Sequence, residues 1–119
     1  MSYEMPFKSI TCHKATATDL SQARYKFVDV DSNGDLKLAA AGKVPVGVLQ
    51  EPGEANKGPM ALPVVVEGIY PVIAGGTVAA GDEIEVGTGG TAIKATTGTT
   101  IGKCLEGGTT GEQIAVLLK

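Results

Sequence analysis

Asp29, Asp31, Asn33 and Asp35 stand at alternate positions around Gly34, and oxygen donors at that spacing are what a calcium loop offers. In Asp29-Val-Asp31-Ser-Asn33-Gly34-Asp35-Leu36, oxygen donors fill the first, third and fifth loop positions, glycine the sixth and an apolar residue the eighth. The twelfth position is Ala40, where a bidentate Glu is required. The flanking RYKFVDV and LKL alternate as strands do, and Asn-Gly between two alternating runs is a hairpin signal that needs no metal. Acid–base chemistry has no partners either. His13 is the single histidine, in a polar stretch. No Gly-x-Ser-x-Gly elbow occurs, and the GTGG run at Gly87–Gly90 opens no phosphate-binding helix. Glu51 and Glu106 occupy matching turns, where carboxylates are usually structural or solvated. No enzyme activity, metal or cofactor is expected.

One lysine needs separate treatment. Val78-Ala-Ala-Gly81-Asp82-Glu-Ile84, followed by Lys94 in Ala92-Ile93-Lys94-Ala95, is similar to the hammerhead of lipoyl and biotinyl carrier domains. Those domains modify a lysine at a hairpin tip within a strict motif. The acidic or Met neighbour is missing here, so Lys94 is expected to be a solvent-facing strand lysine.

The elements that carry these residues read as strands. Ile84 and Val86 alternate with Glu83 and Glu85, and Ile114, Val116 and Leu118 keep the same spacing of two. Asp82–Val86, Ala92–Ala95, Thr100–Leu105 and Gln113–Leu118 are short runs separated by Gly and Thr turns, as in a small closed or nearly closed β-structure. Earlier, Arg24–Asp31 reads as a strand whose alternation slips between Phe27 and Val28, which a bulge or a crossing between sheets would explain. Asn33-Gly34 leads into Leu36–Leu38. Val44, Val46 and Val48 form another strand, with Pro45 at an edge or start. A long exposed loop over Glu51–Met60 precedes a buried strand at Leu62–Glu67, and Gly75-Gly76 opens the second half.

The halves echo one another. Val46-Gly47, Glu51 and Gly53 match Ile101-Gly102, Glu106 and Gly108 at a constant offset, and Val28-Asp29-Val30 matches Ile84-Glu85-Val86. Val64–Val66 is aligned with Ile114–Val116 across gaps. A weak duplication is therefore expected, with related halves at about 24–68 and 77–118.

Composition agrees. The 119 residues form one domain. Glycine, at 17 residues, is about twice its usual ~7% share, and with two Phe, three Tyr and no Trp the core must be Val, Ile, Leu and Ala. The fold class expected is all-β. Net charge is −3 with no basic cluster, which disfavours a nucleic-acid groove. No apolar run approaches the ~20 residues of a membrane span, and MSYEMPFKSI does not read as a secretory signal. Cys12 and Cys104 are expected to be free thiols, with a disulfide left possible. Residues 1–22 read as an N-terminal arm before a single domain over 23–119. The arm is either a first strand plus loop or a segment that lies on another molecule, and the contact residues expected on the second reading are Tyr3, Met5, Phe7, Ile10 and Leu20.

Several motifs in order carry a family resemblance: Asp19-Leu-Ser21, Arg24-Tyr25-x-Phe27-Val28, Val46-Gly47-Val48-Leu49, Val78-x-x-Gly81-Asp82-x-Ile84, Ile101-Gly102-x-x-Leu105-Glu106 and Gly111-Glu112-x-Ile114-x-Val116-Leu117. From about Thr18 to Leu118 the chain resembles the capsid decoration (cement, or head-stabilising) proteins of tailed bacteriophages. The resemblance implies a small β-barrel or β-tulip domain, made in the host cytoplasm. It would sit on the outer surface of the virion's icosahedral head and brace it against internal DNA pressure. The implied partners are the major capsid protein and further copies of the chain, a trimer before a dimer, with neither nucleic acid nor membrane. The alternative is a small β binding module for carbohydrate or calcium, or a carrier domain.

Overall fold

The computed structural model describes residues 5–15, 18–53 and 60–118, with the backbone alone for 5–7. Within them the chain forms nine strands: β1 (Met5–Lys14), β2 (Phe27–Val30), β3 (Leu36–Leu38), β4 (Gly47–Leu49), β5 (Met60–Ile73), β6 (Glu83–Val86), β7 (Ala92–Lys94), β8 (Gly102–Glu106) and β9 (Gln113–Leu118). All named strand pairs are antiparallel, in the order β3-β2-β4-β5-β9-β8-β6-β7 with β1 also on β5. The all-β, barrel-like expectation holds.

The duplication is deeper than the sequence alignment suggests. Val28 faces Leu38 and Gly47, while Ile84 faces Lys94 and Gly102. Leu49 faces Val64, while Cys104 faces Val116. Strands β2, β3, β4 and the first half of β5 thus repeat as β6, β7, β8 and β9. A fifth strand completes each copy: Ile10 of β1 faces Val64 as Tyr70 in the second half of β5 faces Val116. Strand β5 therefore ends the first copy and begins the second. Five strands, each antiparallel to the next, leave the first and last running the same way, so closure must be parallel. The parallel bridges His13–Asp35 and Ala74–Ala92 close the two rings accordingly. The register also corrects the alignment of β5, since Val64 corresponds to Val116 and not to Ile114.

Two apolar clusters fill the rings. Leu20, Ala23, Val28, Leu36, Leu49, Leu62 and Val64 fill the first. The second holds Val72, Val78, Ile84, Val86, Cys104, Ile114 and Val116, and the row Phe27, Val48, Val65 from the back of the first ring is buried in it as well. Phe27 pairs with Val48 and Val48 with Val65, so these three form one line across β2, β4 and β5. Phe27 and Val28 are both fully buried because each faces a different cluster. Both faces of one strand are used, and neither the bulge nor the sheet crossing expected there is needed.

Other expectations shift at the ends. The strand read as Arg24–Asp31 begins only at Phe27, because Tyr25 adopts a left-handed conformation with φ 64°. Its N–H donates to Leu49 O (2.9 Å), as Gly81, at φ 93°, donates to Cys104 O (2.8 Å) in the second copy. The Asn33-Gly34 hairpin forms, but as a type I turn with Gly34 at φ 80°: Gly34 N–H donates to Asp31 O, and Asp31 N–H to Asp35 O (both 2.9 Å). Cys12 and Cys104 are free thiols, the first half-buried and the second buried. Of the expected loop at Glu51–Met60, residues 54–59 lie outside the described ones.

Candidate functional site

Two of the carboxylates singled out for chemistry, Asp29 and Asp31, are engaged by backbone. Asp31 Oδ1 accepts the N–H groups of Asn33 (2.8 Å) and Asp35 (3.1 Å), and Asp29 Oδ1 accepts its neighbour Val30 N–H (2.8 Å). The calcium-like pattern is thus an Asx turn inside a strand hairpin. Among the described residues no three His, Cys, Asp or Glu side chains converge as a metal site would require. Lys94 ends β7 opposite Ile84, at the far end of that strand from the hairpin tip at Thr88–Gly90. Glu106 ends β8, and Glu51 is exposed in the turn after β4.

Two charged side chains that the sequence did not single out are buried. Lys14, 0% exposed, follows the closing His13–Asp35 bridge of the first ring, at the position Ala74 holds in the second. Its Nζ donates to Ala15 O (2.8 Å) and Thr18 O (3.0 Å), and its stem lies against Gly53, where an added Cβ would come within 2.8 Å of Lys14 Cδ. Glu85, 3% exposed, corresponds to Asp29. Its Oε1 accepts Thr96 N–H (2.6 Å) and Thr96 Oγ1–H (3.0 Å), and Gly98 packs so closely against Oε2 that no side chain fits there. Thr99 N–H in turn donates to Gly42 O (3.1 Å), and Gly42 N–H to Val86 O (2.8 Å). The Glu85 carboxylate thus holds the loop after β7, and backbone bonds of Thr99, Gly42 and Val86 tie that loop and β6 to the loop after β3, joining the two rings. An alternating strand hides such a residue, since Glu85 reads as solvent-facing; the Gly98 contact is the only local sign.

These hydrogen bonds set a pH dependence. The Thr96 amide above all holds the Glu85 carboxyl below its ordinary range, against the opposing effect of burial. The Thr109 amide and hydroxyl (2.7 and 2.9 Å) do the same for Glu112, and Ser21 for Asp19. A folded-state pKa below the unfolded value gives stability that is complete above the ordinary carboxylate range, about pH 4–4.5, and is lost as pH falls through the lowered values. The melting temperature should therefore be flat at neutral pH and drop on acidification. Glu85→Gln should flatten that drop, read by circular dichroism melts between about pH 6 and 3.

Of the contact residues expected in the arm, Tyr3 lies outside the described residues. Met5 and Phe7 lie on β1, and their side chains are outside the description. Ile10 is 41% exposed on β1 and is accessible to a partner. Leu20 is a correction: it is 1% exposed within the first cluster, since Leu20 and Gly53 exchange backbone hydrogen bonds (2.6 and 3.1 Å) as Val78 and Gly108 do in the second copy (2.9 and 3.0 Å). The remaining concavities are shallow. One, of about 400 Å³, is walled by Lys26, Thr88, Thr91 and Thr110, and another, of about 240 Å³, lies over Glu85.

No family model matches the chain, and no curated protein sequence matches it. Among solved structures, the chain is similar to the N base of the head fibre gp8.5 of bacteriophage phi29. The TM-score is 0.79 at 16% identity, covering 94% of this chain and 95% of that one. At that identity the likeness is one of fold, and it spans both rings.

Proposed function

We propose that this protein is a structural component of a tailed-phage head. It binds the outer surface of the icosahedral shell, against the major capsid protein, as a decoration protein that braces the shell against packaged DNA. The observation that carries the reading is the full-length likeness in fold to a phage head-fibre base. The motif resemblance to decoration proteins, from Asp19-Leu-Ser21 to Gly111–Leu117, points the same way. The chemistry of the site agrees with it: Asp31, Glu85 and Glu112 hold loops in place, and Lys14 holds the segment that follows β1. Such a body suits gripping a neighbour. Copies sit together on the shell, as trimers before dimers.

The test is to mix the purified protein with heads that lack it and measure co-sedimentation. Saturation at a copy number set by the shell lattice, with heads retaining DNA to higher temperature, is expected. The same likeness favours a second reading, the base of a head fibre, which predicts few copies per head and no gain in DNA retention. No binding to any head would remove both.

A further inference from the structure

The repeat reveals a vacancy in the first ring. From the paired registers, Ile10, Val30, Val46 and Val66 of the first copy correspond to Tyr70, Val86, Ile101 and Leu118 of the second. All eight are apolar. The four of the second ring are 5%, 0%, 9% and 6% exposed, and all belong to the cluster that also buries the Phe27–Val48–Val65 row. In the first ring Ile10 and Val30 are 41% and 36% exposed, and Val46 and Val66 are half-buried. Among the described residues, the same end of the same ring is covered in one copy and open in the other. A groove of about 40 Å³ runs beside the open end, between Val46 and Val66 of the first ring and Phe27, Ile101 and Leu118 of the second cluster, and Val44 on its wall is 61% exposed. Exposed apolar side chains gathered in one place mark an interaction site more often than scattered ones do.

We propose that this open end of the first ring, rimmed by Ile10, Val30, Val46 and Val66, is the docking seat for a partner protein that inserts an apolar strand face. The second ring shows the kind of surface that fits: a row of one aromatic and two β-branched side chains across three strands. A second copy of the chain is a poor occupant. Its Phe27–Val48–Val65 row is already buried, and the corresponding row of its second ring is Glu83, Lys103 and Leu117, with the two charges exposed. Burying those two charges in an apolar seat would cost the desolvation of both. Resting on the function proposed above, the partner is a shell protein of the head.

The test uses the double variant Ile10→Asp/Val30→Asp, which places charge on already exposed positions, with Lys103→Gln on the exposed row of the second ring as control. Circular dichroism melts should match the wild type for both. Binding to heads should weaken at least tenfold for the double variant and stay unchanged for Lys103→Gln. Heads that bind wild type and double variant alike overturn the seat while leaving the head-associated reading standing. Heads that bind neither protein remove that reading, and the seat is then judged on the free protein with Nile red. Dye fluorescence enhanced by the wild type and lost in the double variant supports the seat, and equal fluorescence overturns it. Concentration-dependent self-association abolished by the double variant would overturn the foreign partner in favour of a second copy.

Discussion

Phe27→Ala should be among the most destabilising single truncations in the molecule, at about 3–5 kcal/mol. Phe27 is 0% exposed and heads the row through which the first ring is buried in the second. Its backbone is held in place, since its oxygen accepts Ala39 N–H (3.1 Å) and an added Cβ on Gly90 would lie 2.6 Å from that same oxygen. Against a total stability of about 5–15 kcal/mol the loss is a large fraction, and it should lower Tm by on the order of 10–20 °C. The repeat supplies the control. Glu83 holds the same position in the second copy but is exposed, so Glu83→Ala should stay within about 0.5 kcal/mol. Thermal melts of the two variants decide it: equal effects would mean that the rings are not stacked through this row.

That pair of positions also shows what the sequence conveys and what it hides. The alternation of β6 and β9, the Asn-Gly hairpin and the match of Gly47 with Gly102 are local patterns, and each appears where the residues put it. The fifth strand of each ring is not local. Strand β5 runs unbroken for 14 residues through Pro63, Gly68 and Pro71, well past the strand read at Leu62–Glu67. Ala74 N–H points to the β9 side and Ile73 N–H to Tyr25 O on the other. The nitrogen of Pro71, two residues before Ile73, therefore faces away from β9, and no bond of that ladder is lost. Gly68, at φ 113°, lies where the strand passes from one ring to the next. Val64 and Val66 face the first cluster before it, and Tyr70 and Val72 the second after it. Periodicity within one segment cannot report that handover. It also missed the burial of Lys14 and Glu85, because their partners lie in irregular segments, Ala15 and Thr18 after β1 and Thr96 after β7, that carry no period. For the same reason Ile10 and Leu20 looked alike in the sequence, although the fold leaves one open and encloses the other.

Gly47→Ala and Gly102→Ala should each cost about 3 kcal/mol or more, beyond the ordinary range for a single added methyl. An added Cβ at Gly47 would press into the Val65 carbonyl oxygen and lie 2.8 Å from Val64 Cγ1; at Gly102 it would lie 2.5 Å from Leu117 O and 2.9 Å from Val116 Cγ1. In both copies the obstructing oxygen belongs to the strand that the glycine's own strand pairs with. Relief therefore needs β4 to part from β5, or β8 from β9, whereas a crowded side chain could change rotamer. Neither glycine has the positive φ that would make backbone conformation the cause, so the effect isolates close approach. Gly76, with nothing within 4 Å of an added Cβ and no positive φ, is the control, and Gly76→Ala should be neutral or slightly stabilising. Because the two positions are equivalent by the repeat, denaturant unfolding should rank both alanine variants together and far below Gly76→Ala. Tolerance at one position and not the other would mean that the two copies are built differently at the point where their sequences agree best.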